Sequence, residues 1–162
     1  MADLPALRLT QVKAFSSVCV DFAGPFSLLR SKHRGAKTSK GYVCVFVCTA
    51  TKAIHLEVTS DLSSDTFLAA FRRLVARRGR CTTLTSDQGT NFKGAYNQLL
   101  DLAKVAAEKL SISWKFNVPG CPHMNGLAEA GIKSFKNHFY RVIKTQILTY
   151  EEFNTVIAQI EA

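Results

Sequence analysis

Three acidic residues stand at positions where a folded chain could use them for chemistry. Asp21 interrupts an apolar run, Asp87 closes a β-favouring stretch, and Glu129 lies near the start of a long helical pattern. A charge in a buried strand is costly unless it is paired, protonated or bound to a metal. Carboxylates from separate rigid elements can hold two Mg²⁺ ions, which activate an attacking hydroxyl and stabilise the leaving oxygen of a phosphodiester.

Each acid also has a structural interpretation. Ser86-Asp87-Gln88-Gly89 is typical of a turn in which the aspartate side chain bonds its own backbone. Glu129 with Lys133 or Lys136 is also typical of a surface ion pair on one helix face, worth roughly a few tenths of a kcal/mol. Spacing alone does not establish that the three acids converge, so the surrounding elements decide between the two interpretations.

The charge of the chain indicates a polyanionic partner. Lys and Arg number 21 against 12 Asp and Glu, which gives a formal net charge of +9 at pH 7. Most of the basic residues fall in three blocks, Arg30–Lys40, Arg72–Arg80 and Lys133–Lys144. One such block is as often a solvated face as a binding surface, but three together favour nucleic acid.

Composition predicts one folded domain. The chain has 162 residues, of which 47% are hydrophobic, and we interpret residues 1–13 as a lead-in segment and 14–162 as the domain. Neither a membrane span nor a signal peptide is indicated. The five cysteines include no C-x-x-C pair, which argues against a disulfide framework or a closed zinc site and favours reduced, mostly buried thiols.

Strands are predicted where β-favouring runs end in turn residues. Ile54–Val58 alternates strictly, which predicts a half-exposed strand with His55 and Glu57 at the surface. The first strand is expected to stop at Ala23-Gly24-Pro25. That first strand is Ser17–Phe22, and the other predicted strands are Tyr42–Cys48, Thr82–Thr85 and Ser113–Asn117.

Helical periodicity separates these strands. Helices are predicted over Asp65–Arg78, Ala95–Leu110 and Leu127–Gln146, and a last helix opens with the capping box Thr149-x-x-Glu152. The loop at 118–126 precedes the third helix. The apolar stripe of that helix is Ile132, Phe135, Phe139, Val142 and Ile143, whereas Glu129, Lys133, Lys136 and Tyr140 share a different face.

Several short motifs, in order, resemble the catalytic core of retroviral and retrotransposon integrases of the Asp-Asp-Glu group, most closely those of BEL/Pao-type LTR retrotransposons. The resemblance implies an α/β, RNase H-like fold with a five-stranded mixed sheet flanked by helices. It also implies that Asp21, Asp87 and Glu129 are the catalytic ligands of two Mg²⁺ or Mn²⁺ ions. The matching segments are Val20–Pro25, Thr51–Glu57, Ser86–Phe92, Trp114–His123 and Gly126–Glu129.

The same resemblance implies the partners. Lys133 and Lys136 lie where integrases place lysines that contact the DNA end, and Asn125 is expected to touch DNA from the preceding loop. DNA, as the element end and as the target, is the expected ligand of a homo-oligomer in the nucleus. Neither a membrane nor a small-molecule cofactor is expected.

The resemblance therefore predicts a metal-dependent polynucleotidyl transferase that trims a DNA end and joins its 3′-hydroxyl to target DNA. Two departures are Gln88, where related sequences usually carry Asn, and Ala128, where they usually carry Trp. Integrases of this type also carry a zinc domain and a C-terminal DNA-binding domain, so a fragment truncated at its C-terminus is expected. The alternatives are a domesticated or decayed DNA-binding remnant, and an RNase H-like nuclease that cuts without joining.

Overall fold

A computed structural model of the chain describes residues 13–105, 112–117 and 126–162. Strands and helices follow one another largely in the predicted order. The strands are β1 (Ser17–Leu29), β2 (Thr38–Cys48), β3 (Ile54–Thr59), β4 (Thr83–Ser86) and β5 (Ser113–Phe116), and the helices are α1 (Ser64–Arg78), α2 (Thr90–Val105), α3 (Gly126–Ile143) and α4 (Tyr150–Glu161).

The strands form one mixed sheet in the order β3-β2-β1-β4-β5. β1, β2 and β3 are an antiparallel meander, whereas β4 runs parallel to β1 and β5 runs parallel to β4. Parallel neighbours need a crossover, which α1 supplies before β4 and α2 before β5. The predicted five-stranded mixed sheet is confirmed.

Helices cover both faces of the sheet, and each face has its own core. Val20 and Phe46 of the sheet pack with Phe67 of α1 and Phe92 of α2 on one face. On the other face α3 and α4 pack on the strands through Phe135, Phe139, Phe153 and Ile157. This double coverage explains why β2, the second strand of the order, is apolar on both sides.

The sequence predicted that the first strand stops at Ala23-Gly24-Pro25, and this prediction is wrong. β1 continues to Leu29, and its pairing with β2 shifts register between Ala23 and Phe26. A bulge leaves its extra residues outside the ladder, so it accommodates a proline that has no N–H to donate. Asp21 therefore lies within a long strand, not at its end.

The surface positions predicted for His55 and Glu57 are wrong. Their exposed fractions are 0% and 4%, because α1 covers the second face of β3. Strict alternation in a strand gives its two faces but does not show which face is left open to water. The prediction that Val142 belongs to the apolar stripe of α3 is also wrong, since Val142 is 57% exposed.

Helix ends differ from the predicted ends by a few residues. α2 begins at Thr90, ahead of the predicted Ala95, and α3 ends at Ile143. The capping box of α4 is confirmed, because the Thr149 side chain accepts from the Glu152 N–H and Glu152 accepts from the Thr149 N–H. Cys19, Cys44, Cys48 and Cys81 are buried, as predicted, whereas Cys121 lies outside the described residues. None of the helices in the described ranges is long and apolar enough to span a bilayer.

Candidate active site

Asp21 lies in β1, and Asp87 comes directly after β4, the strand that runs parallel to β1. The ladder between β1 and β4 pairs Val18 with Leu84 and Cys19 with Thr85. Asp21 is two residues beyond Cys19, and Asp87 is two residues beyond Thr85. Neighbouring strands are about 4.8 Å apart, so this register brings the two carboxylates to the same part of the sheet.

Side-chain alternation directs Asp21 to the face that α3 covers. Asp21 is paired with Val45 of β2, and directly opposite residues point to the same face of a sheet. Val45 belongs to the core beneath α3 and α4. Asp21 is half-buried, and its Oδ1 accepts the N–H of Phe22 at 2.7 Å.

Asp87 has the turn conformation that its sequence predicts. Its Oδ1 accepts the N–H of Gly89 at 2.9 Å. A Cβ at Gly89 would lie 3.0 Å from that oxygen and 2.6 Å from Oδ1 of Asn91, so a larger residue there would displace one of these side chains. Asp87 is exposed, and within the described residues its second oxygen accepts no hydrogen bond. The structural bond therefore occupies one carboxylate oxygen and leaves the other available to a ligand.

Glu129 lies in the first turn of α3, and that helix crosses the strands close to Asp21. A Cβ at Gly131 would lie 2.6 Å from Val47 Cγ2 and 3.7 Å from Val45 Cγ1. Because Val45 is the ladder partner of Asp21, the start of α3 lies over the segment that carries this aspartate. Glu129 itself is exposed.

The three carboxylates do not form a closed metal site. Among residues 13–105, 112–117 and 126–162, no three His, Cys, Asp or Glu side chains are arranged to hold one ion. Asp21 and Asp87 follow the last paired residues of β1 and β4 by two positions each, and the start of α3 lies over the β2 residue paired with Asp21, but the segment between β5 and α3 is only partly described. Asn125, the predicted DNA contact, and His123 lie outside the described residues.

The predicted shared face of α3 is present. A shallow groove of about 440 Å³ runs along it and is lined by Glu129, Lys133, Lys136 and Tyr140, together with Ile132 and Asn137. Lys133 is exposed, Lys136 is half-buried and Tyr140 is 55% exposed. The face therefore offers two cations and an aromatic ring to a ligand, beginning at the glutamate.

A side-chain bridge that the sequence did not reveal connects β4 to β5. Gln88 donates from Nε2 to the carbonyl of Asn117 at 3.1 Å and accepts from Lys93 Nζ at 3.2 Å. Asn117 continues the ladder of β5, with its N–H donating to the Ser86 carbonyl at 2.8 Å. Its own side-chain Nδ2 is buried and has no partner in the part of the chain that the structure describes. The departure at Gln88 thus has a structural role, because a shorter Asn would not span the same gap.

Ala128, the second departure from related sequences, is completely buried in the first turn of α3. The helix nevertheless begins at Gly126, so a small residue at this position still permits the predicted start of the helix.

A different group of acids lies at the opposite edge of the sheet, around His55 of β3. The buried imidazole contacts Glu161 through Nδ1 at 2.7 Å and Glu57 through Nε2 at 3.0 Å. Burial alone would lower the pKa of His55, but the hydrogen bonds to Glu161 and Glu57 outweigh it and raise that pKa. An imidazole between two carboxylates donates from both ring nitrogens, so this geometry favours the imidazolium.

Arginines of α1 complete the pairing of Glu57. The carboxylate accepts from Arg73 Nε and from Arg77 Nη1, the latter at 3.1 Å. Burial tends to raise the pKa of Glu57, but His55 and Arg73 hold it below its ordinary value. Arg73 also donates to the Val58 carbonyl at 3.1 Å. Two of the five basic residues in the α1 block therefore serve an internal acid.

Glu161 joins the end of α4 to the edge of the sheet. It accepts from Arg78 and, at 2.9 Å, from the N–H of Leu56 in the edge strand β3. Burial would raise the pKa of Glu161, but His55 and the Leu56 N–H lower it to about 2. The sequence signal for this group is the set of arginines on α1. That signal can be interpreted only when α1 is known to cover β3.

The arrangement of strands and helices is the RNase H-like α/β fold of integrase catalytic cores. The chain superposes on a chain of the simian T-cell lymphotropic virus intasome, solved by cryo-EM with PP2A regulatory subunit B56 gamma, with a TM-score of 0.63 and 15% identity over 90% of this chain and 46% of that one. The crystal structure of the BIV integrase catalytic core domain gives a TM-score of 0.60 and 15% identity, over 91% and 81% of the two chains. No family model and no curated protein sequence matches the chain. At this identity the likeness shows the fold, and the chain spans less than half of the intasome chain that it matches.

Proposed function

We propose that the chain is the catalytic core of a DNA integrase of the Asp-Asp-Glu group, from a retrotransposon of the BEL/Pao type. The observation that carries this proposal is that Asp21 and Asp87 each come two residues after the last pair of the parallel strands β1 and β4, with the start of α3 over the β2 residue paired with Asp21. A fold shared with integrase cores supports it, and so does the net charge of +9.

The donor chemistry of the site suits a divalent cation. Mg²⁺ and Mn²⁺ prefer carboxylate oxygens, and Asp87 keeps one oxygen clear of hydrogen bonds from the described residues. Asp21 and Asp87 would hold one ion, and Asp21 with Glu129 the other. When bound, such a pair activates the attacking oxygen and stabilises the leaving oxygen of a phosphodiester.

The proposed reaction has two transfers at phosphorus. Water adds to a phosphate near the DNA end, the P–O3′ bond breaks, and the 3′-oxygen leaves as a hydroxyl. That hydroxyl then loses its proton and attacks a phosphate of the target, whose own 3′-oxygen departs and takes up a proton. Lys133 and Lys136 hold phosphates along α3 throughout, since both line the groove that begins at Glu129.

The second candidate function is a DNA-binding remnant that has kept the fold and lost the reaction. The observation in its favour is that no three metal-ligating side chains of the described residues are gathered at one point. A third reading is a nuclease that cuts but does not join. If the chain is an integrase core, we also propose that it forms homo-oligomers and that it acts in the nucleus, where the target DNA lies.

One assay separates the three readings. A labelled DNA duplex is incubated with the protein and Mg²⁺ or Mn²⁺, and shortened and joined products are both scored. Joined products support an integrase, shortened products alone support a nuclease, and salt-dependent binding without either product supports the remnant.

The matched variants are Asp87→Asn and Asp61→Asn. We expect Asp87→Asn to reduce the reaction by at least about 10³-fold, which corresponds to roughly 4 kcal/mol of activation free energy, while DNA binding is retained. Asp61 is an exposed acid in the cap of α1 whose partners are Ser60 and Ser63, so its variant controls for charge alone. Full metal-dependent activity of Asp87→Asn would exclude the assigned site.

A further inference from the structure

Two blocks of basic residues that look alike in sequence differ in the structure. Arg72–Arg80 and Arg30–Lys40 each contain five Lys or Arg residues. In the first block Arg73 and Arg77 pair with Glu57, and Arg78 pairs with Glu161. These charges are neutralised inside the molecule, so most of the α1 block is not available to a polyanion.

The second block forms the connection between β1 and β2, here called the hairpin tip (residues 30–37). Its base is closed by the Arg30 N–H donating to the Lys37 carbonyl at 3.0 Å. A Cβ at Gly35 would meet no atom within 4 Å, so this end of the hairpin stands clear of the described protein. Arg34 and Lys37 are exposed, and neither forms an ion pair with a described residue.

One cation of this hairpin does have a partner, but the pair is weak. Lys32 contacts Glu152 of α4 at 2.7 Å, and the two side chains are 74% and 42% exposed. Ion pairs this open to water contribute at most about 1 kcal/mol and are screened by salt. The pair therefore does not neutralise the hairpin in the way that Glu57 and Glu161 neutralise α1.

The base of this hairpin, at the end of β1, lies beside the end of α3 that is remote from the candidate active site. Leu28 and Lys144 line the same groove of about 220 Å³. The N–H of Leu29 donates to the Leu148 carbonyl at 2.8 Å, just beyond α3. At about 1.5 Å per residue, Lys144 is about 22 Å along the helix axis from Glu129.

A row of side chains fills the interval between the two ends. Lys133, Lys136 and Tyr140 recur at three or four residues on α3 and Lys144 directly follows the helix; we call these four residues the α3 stripe. Phosphates of one DNA strand advance by about 3.4 Å per nucleotide, so 22 Å corresponds to about six or seven base pairs. A duplex that enters the site at Glu129 and follows α3 would reach the hairpin within its first turn.

We propose that the β1–β2 hairpin is a second phosphate-binding surface, which holds duplex DNA about six or seven base pairs from the reacting end. This inference rests on the proposed function for the direction in which DNA enters, but its binding test does not need the reaction. The hairpin contacts are to phosphates, because flexible exposed Lys and Arg on a loop position a duplex without reading its sequence.

The test measures binding of a labelled duplex of about 30 base pairs, of arbitrary sequence, to the whole chain between 50 and 200 mM NaCl without divalent ions. The variant is Arg34→Gln with Lys37→Gln. The matched control is Arg72→Gln with Arg80→Gln, which removes the same charge from exposed residues of the α1 block that have no described ion pair.

If two phosphate contacts are lost, the slope of log K against log salt falls by about 1.8, and affinity at 100 mM falls roughly 10- to 50-fold. We expect this for the hairpin variant and less than a threefold loss for the control. Equal losses in both variants, or an unchanged slope in the hairpin variant, would overturn the proposal while leaving the integrase reading intact. The same holds if the slope changes only with a single-stranded RNA probe of equal length. Failure of the wild-type chain to bind duplex DNA at all would overturn both.

Discussion

The two groups of carboxylates in this molecule are built in opposite ways. Glu57 and Glu161 are enclosed by His55 and by three arginines of α1, so every charge has a partner inside the protein. Asp87 and Glu129 are exposed, and Asp87 has one backbone hydrogen bond from Gly89. Charge that is satisfied internally stabilises a fold, whereas charge left facing solvent is available to a ligand.

The contrast predicts that removing an acid changes the free energy of unfolding by different amounts in the two groups. Replacing Glu57 with Gln leaves Arg73 and Arg77 without a counter-charge and leaves His55 with Glu161 alone, and breaking a buried ion pair typically costs 3–5 kcal/mol. Because the two arginines are 40% and 60% exposed, we expect the lower end, about 3 kcal/mol. Urea unfolding of Glu57→Gln measures this loss.

Asp87→Asn is the paired variant. We expect its free energy of unfolding to change by less than about 0.5 kcal/mol, as for most surface substitutions. If Asp87→Asn destabilised the protein as much as Glu57→Gln, the distinction between a structural and an available carboxylate would be wrong.

The His55 cluster also predicts how stability depends on pH. The pKa of His55 is raised in the folded chain, so its contribution is fully present below the unfolded pKa of about 6.5 and is lost as pH rises through the folded pKa. The pKa of Glu161 is lowered to about 2, so its contribution is present above about 4.3 and is lost as pH falls towards 2. The slope for one proton is at most about 1.4 kcal/mol per pH unit.

The variant His55→Gln tests the loss of stability that is expected as pH rises. Unfolding free energies measured between pH 5.5 and 8, below the range in which unfolded thiols titrate, should decline for the wild type and stay flat for the variant. His138, which lies on an exposed part of α3, supplies the control variant His138→Gln, and this variant should keep the wild-type slope. An unchanged slope in His55→Gln would show that the pKa of His55 is not raised in the folded chain.

Much of this contrast could not be predicted from the sequence. The succession of strands and helices along the chain and the α4 cap followed from local patterns, because periodicity and turn residues act over a few positions. The burial of His55 depends on α1 crossing β3, and the continuation of β1 depends on a bulge opposite β2, so both are tertiary facts. The link from Gln88 to Asn117 joins residues of two different strand ends. No local pattern encodes it.

Metal binding gives a second way to separate the two acid groups. If Mg²⁺ binds the folded chain at Asp21 and Asp87, a concentration ten times Kd stabilises it by about 1.4 kcal/mol. The melting temperature of the wild type should therefore rise with added Mg²⁺, and that rise should vanish in Asp21→Asn. Glu57→Gln should melt lower but keep the same Mg²⁺-dependent increment. A response retained in Asp21→Asn would remove this residue from the metal site.

The smallest expected effect concerns Gln88, beside the candidate ligand. Gln88→Asn loses its hydrogen bond to the Asn117 carbonyl and its contact with Lys93, which should cost about 0.5–1 kcal/mol of stability. Gln98→Asn is the matched control, because Gln98 donates one exposed hydrogen bond, to Asp65 at 3.0 Å. Both variants should be similarly stable by urea unfolding, but only Gln88→Asn should change the Mg²⁺ concentration needed for half-maximal activity, since it loosens the turn that orients Asp87. Identical metal dependence in the two variants would mean that the bridge between β4 and β5 only stabilises the sheet.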